Sequence, residues 1–124
     1  MPKPVKSTKP KTATPRVELP AGVLAVIDLE QPITIGKMEV DHLNVRKAAG
    51  VAELIAVQIA YEKQGLILDG VQVIGHIQSM QILAMTTLID CMCQLAPGTA
   101  AELDMTRDLW HAIKVITPFL SKYA

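Results

Sequence analysis

Apolar positions recur at three- and four-residue steps through the second half of the chain, most densely from Val71 to Leu95. There Ile74, Ile77, Ala84, Leu88, Met92 and Leu95 mark one side of a helix. Ile82, Met85, Ile89 and Cys93 mark the other side, so this predicted helix is apolar nearly all round. Such a helix belongs in a large core or a membrane, yet the chain has only 124 residues. The Ile74, Ile77, Leu88 and Met92 side is assigned to the domain's own core. The Ile82, Met85 and Ile89 side is the candidate surface for a second chain.

The flanking pattern predicts the other elements. Val23 to Leu29 is β-branched and aliphatic, Pro32 interrupts it, and Ile33-Thr-Ile35 leads into a Gly36-Lys37 turn. Met38 to Val45 completes a β-hairpin, with Pro32 at an edge or bulge because it lacks an amide donor. Between Gly50 and Gly65, Val51, Leu54, Ile55 and Ile59 form the apolar stripe of a helix that Gly65 ends. Glu53, Gln58, Glu62 and Lys63 occupy its remainder. Asp69 with Gln72, and Thr99 with Glu102, match the capping-box pattern. Asp104 is the expected cap of a last helix with Leu109, Ala112, Ile113, Ile116 and Leu120 inward. Pro118 kinks or ends that helix. The expected fold is α+β: a β-hairpin packed against three main helices in one small domain over residues 21–124.

Residues 1–20 differ in kind. Pro, Lys and Thr alternate there with little to bury, which predicts a flexible basic arm. Lys and Arg number 12, as do Asp and Glu. Because Lys3, Lys6, Lys9, Lys11 and Arg16 all lie in the arm, the remainder is net acidic. That balance argues against nucleic acid as the partner, and no predicted helix is basic enough to read a DNA groove. His76, Gln78, Gln81 and Asp90 interrupt the most apolar stretch, so it is not expected to cross a membrane. No secretory signal follows the basic start.

Candidate chemistry is sparse. The chain has no phosphate-binding glycine loop, no zinc-protease motif and no nucleophile elbow. His42, His76 and His111 lie on separate elements without ligand spacing, so no metal site, cofactor or enzymatic activity is expected. Cys91 and Cys93 point about 200° apart on a helix and cannot bridge each other. As free thiols they fit a reducing cytosol. Three positions carry two readings each. Asp90 either faces solvent at the helix margin or bonds a partner chain. Trp110 is either a binding anchor or the closure of one end of the core. Met80, Met85, Met92 and Met105 are either an adaptable surface or plain core.

Two runs add a resemblance. Leu29-Glu-Gln-Pro-Ile33, then Gly36, then Val40-Asp-His-Leu-Asn-Val-Arg-Lys47 is similar to the opening hairpin of the Mu-like phage tail assembly chaperone family. Ile89 to Leu95, Ala96-Pro-Gly98, Leu103-Asp104, Leu109 to Val115 and Phe119-Leu120 resemble that family's closing half. The likeness runs from about Val26 to Leu120, with Ala48 where the family usually has proline and no matching spacer for residues 64–70. It implies a protein without enzyme activity that binds the tape measure protein, and possibly the tail tube protein, in the bacterial cytoplasm while the tail is built. Self-association is a further expectation. Ile82, Met85, Ile89 and Trp110 are then the candidate partner-binding residues. The alternative is a small helical regulator acting through protein or DNA contacts.

Overall fold

The computed structural model describes residues 19–123, so all but the last two residues of the expected basic arm lie outside it. Two strands, β1 (Ala25–Ile35) and β2 (Met38–Val45), form an antiparallel hairpin. Four α-helices follow: α1 (Val51–Lys63), α2 (Gly70–Gln78), α3 (Ile82–Met92) and α4 (Asp108–Ile116). Short 3₁₀ segments occupy Ala100–Glu102 and Thr117–Tyr123. The fold class is α+β, as the residue pattern predicts. Among the described residues, no helix is long and apolar enough to cross a membrane.

The hairpin turns at Gly36, whose φ of 64° suits a residue without a Cβ. Pairing runs from Ala25–Val45 to Asp28–His42 and resumes at Ile33–Val40. Between those stretches, residues 29–32 of β1 stand against Asp41 alone, so Pro32 falls in a bulge. The bulge exposes the amides of Glu30 and Gln31. Both donate to the Asp108 carboxylate at 2.9 Å, which ties the hairpin to the first residue of α4. Arg107 pairs with Glu30 beside this junction. Ile27, Leu29, Ile33, Leu43 and Val45 then form the hairpin's buried face.

Three expectations are corrected. The stretch Val71–Leu95 is not one helix: it breaks at Ser79-Met80-Gln81. Met80 takes φ 56°, and the amides of Met80 and Gln81 close back on the carbonyls of Ile77 and His76. This is a left-handed helix terminus of the kind usually built on glycine. The break turns Val73 and Ile77 of α2 toward the same core as Ala84, Met85, Leu88, Ile89 and Met92 of α3. Met85 and Ile89 therefore lie in the domain's own core, while Val71, Met80 and Ile82 of the same stretch stay exposed.

The second correction concerns α1. Its buried residues are Glu53, Val57 and Tyr61, while Val51, Ile55 and Ile59 of the expected stripe are exposed and Leu54 is half-buried. The third concerns the caps. Asp69 and Gln72 form the expected reciprocal pair at 2.8 and 2.9 Å, and Gly65 ends α1 with φ 88°. Thr99, however, turns its hydroxyl to the Ala96 carbonyl. Asp104 accepts from Thr106 and caps no helix. The last helix starts four residues later, where Asp108 is drawn to the hairpin.

Candidate interaction surface

Helices α1 and α3 run antiparallel. The Arg46 amide, just before α1, donates to the carbonyl of Met92 at the end of α3. At the other end, Tyr61 approaches the backbone of Ala84. Glu53 is buried near the first of these contacts, accepting from the Gly50 amide and pairing with Lys47, each at 2.7 Å.

The third wall is the segment after α3. Asp90 is not a solvent-facing acid: it is buried beside α3, and its two carboxylate oxygens accept from the amides of Gly98 and Ala100 at 2.9 and 2.7 Å. Burial pushes its carboxyl above the usual range, against the opposing pull of those two amides. These bonds hold residues 95–101 beside α3 and leave a groove between that segment and α1.

The groove has a volume of about 350 Å³. Ala56, Ile59 and Ala60 line one side, Leu95, Pro97 and Ala101 the other, with Leu83, Thr86, Thr87 and Cys91 between them. The two threonines do not make it polar. Thr87 donates to the Leu83 carbonyl at 2.7 Å and Thr86 to the Ile82 carbonyl at 3.0 Å, so both hydroxyls are used within α3. Lys63 and Gln64 stand at the end nearest the C-terminus of α1. A mainly apolar groove with a charged end fits the apolar face of a helix rather than a reacting small molecule.

Cys91 is a half-buried free thiol in this groove. Burial raises its pKa, reinforced by the carboxylates of Glu53 and Asp90 and opposed by Lys47. Cys93 is buried in the core and pushed up to about 12, chiefly by burial. Among the described residues, no group of three His, Cys, Asp or Glu side chains is placed to hold a metal ion.

The residues expected to form the partner site are not brought together. Met85 and Ile89 are wholly buried and belong to the core, so they are withdrawn as contact residues. Ile82 is 43% exposed at the start of α3 and Trp110 is 48% exposed on α4, but neither lines the groove. Met85 and Met92 are core, whereas Met80 and Met105 are exposed. The groove residues were missed because α1 carries aliphatic side chains on more than one face. Its periodicity does not say which face turns inward. Comparison of the chain with protein-family models, with curated proteins and with solved structures found no match.

Proposed function

We propose that this protein is a tail assembly chaperone of a phage or prophage, acting in the bacterial cytoplasm on the tape measure protein. The groove between α1 and residues 95–101 receives an apolar helical stripe of that protein and keeps it soluble until the tail tube encloses it. The observation that carries this reading is the groove itself: aliphatic walls, hydroxyls turned inward, and Lys63 at one end. The runs Leu29–Lys47 and Ile89–Leu120, which resemble the Mu-like chaperone family, give the partner its identity. A groove with few polar anchors suits a client that must later be released, because binding rests on many modest contacts.

Co-expression with the tape measure protein tests the proposal. The wild-type chain is expected to raise its soluble yield, and Thr87→Arg, which places a charge in the groove, is expected to abolish that effect while leaving the circular dichroism spectrum unchanged. Cys91 supplies an internal reporter, since its alkylation at pH 8.5 should slow when the client is bound. A soluble yield indifferent to the chaperone would overturn the assignment. Salt-dependent binding to duplex DNA would favour a regulator instead.

A further inference from the structure

The groove between α1 and residues 95–101 differs in charge from end to end. On α1 its wall is Ala56, Ile59, Ala60 and Lys63, one helix face over two turns. On α3 its floor repeats the same spacing with Leu83, Thr86, Thr87 and Asp90. Tyr61 lies at Ala84, so Lys63 stands at the Leu83 end and Asp90 at the other. Asp90 has both carboxylate oxygens engaged by the Gly98 and Ala100 amides. Lys47 and Arg107 are paired with Glu53 and Glu30. Lys63 is exposed and has no carboxylate partner among the described residues. It is the one charge the groove offers a ligand, at the end of an aliphatic trough about 10 Å long.

We propose that the groove selects its client by charge, taking a helix whose apolar stripe is followed, one turn on, by a carboxylate that meets Lys63. The inference rests on reading the groove as the client site. Two observations select this occupant. Both walls repeat at helical spacing over two turns, and small side chains at Ala56, Ala60 and Ala101 leave room for aliphatic side chains of a helix laid along them. Lys63 then lies just past the last apolar position, where a cation attracts a carboxylate and repels a second cation. The apolar contacts supply affinity, and the ion pair fixes which way round the client helix lies. Reversing that helix would carry its carboxylate to the end occupied by Asp90, beside Cys91, where the Glu53 carboxylate is also felt.

Fluorescence anisotropy with two labelled synthetic peptides tests the proposal. Both are helical, with blocked termini and three leucines at three- and four-residue steps. One carries glutamate and the other lysine, one turn beyond the last leucine. Wild type is expected to bind the glutamate peptide about five times more tightly, the scale of a solvent-exposed ion pair. Lys63→Met is expected to bind both alike, and Lys63→Glu to prefer the lysine peptide. Thr87→Arg fills the groove and is expected to lose both, which places the peptides there. Equal affinities in wild type, or a preference that survives Lys63→Met, overturns the proposal and leaves the groove as a client site without charge selection. Should Lys63→Glu fail to fold, Lys63→Met decides. Binding of neither peptide overturns the proposal together with the helical reading of the groove. Tighter binding of decanoate than of either peptide overturns it in favour of a lipid carboxylate. Charge-selective peptide binding without any effect on tape measure solubility would support this inference while removing the client's identity.

Discussion

Glu53 occupies a position at which its residue type gives the wrong expectation. A glutamate in the first turn of an amphipathic helix reads as solvent-facing, yet it is 3% exposed. Burial pushes its carboxyl upward, but the bonds from Lys47 and the Gly50 amide outweigh this and hold it below the usual carboxylate range. The folded pKa is therefore depressed relative to an unfolded value of about 4.3. Its contribution to stability is present above that value and is lost as pH falls through the folded pKa. Glu53→Gln is expected to cost about 1 kcal/mol at pH 7 and much less at pH 3, measured by urea denaturation at both. An equal loss at both values would show that the charge is irrelevant. Asp90 titrates with the opposite sign, since its raised pKa makes protonation favour the folded state.

At the scale of elements, the break between α2 and α3 decides the architecture. Its three residues, Ser79-Met80-Gln81, include neither proline nor glycine, so the sequence carries no punctuation there. The left-handed conformation of Met80 costs roughly 1–2 kcal/mol for a residue with a Cβ. Met80→Gly removes that strain while adding freedom to the unfolded chain, for a net gain of about 0.5–1 kcal/mol. The expected outcome is a higher urea midpoint. The sign is diagnostic, because glycine inside a continuous helix would instead destabilise by a similar amount. Gln94, at φ 57°, ends α3 in the same way, with the Leu95 amide reaching the Asp90 carbonyl at 2.7 Å. Gly65 shows the same terminus with the favoured residue. That is why the end of α1 was legible in the sequence and the end of α2 was not.

For the whole molecule, the junction between hairpin and α4 joins residues 77 and 78 positions apart. A two-stranded hairpin is marginal alone, and here its bulge is satisfied only by a helix from the far end of the chain. Asp108→Ala would leave two inward amides without an acceptor and is expected to cost about 2–3 kcal/mol. Faster amide exchange at Glu30 and Gln31 should accompany that loss. Unchanged exchange at those two positions would mean the bulge does not depend on Asp108. No spacing rule links positions so far apart, so Asp104, the nearer match to a capping pattern, was the natural choice from sequence alone.

The sequence by itself determined what local chemistry controls: the hairpin and its glycine turn, Pro32 at a bulge, the Asp69–Gln72 cap and the glycine end of α1. It also determined that Val71–Leu95 is the apolar centre of the chain. Tertiary structure decided how that centre is used. By breaking at Met80, the stretch buries Met85 and Ile89 in its own domain, and unpaired aliphatic surface is left on α1 instead. Periodicity records which residues share a face, but which face turns inward depends on neighbours. Here those neighbours are Lys47 for Glu53 and the antiparallel α3 for Tyr61, contacts that a linear pattern does not contain.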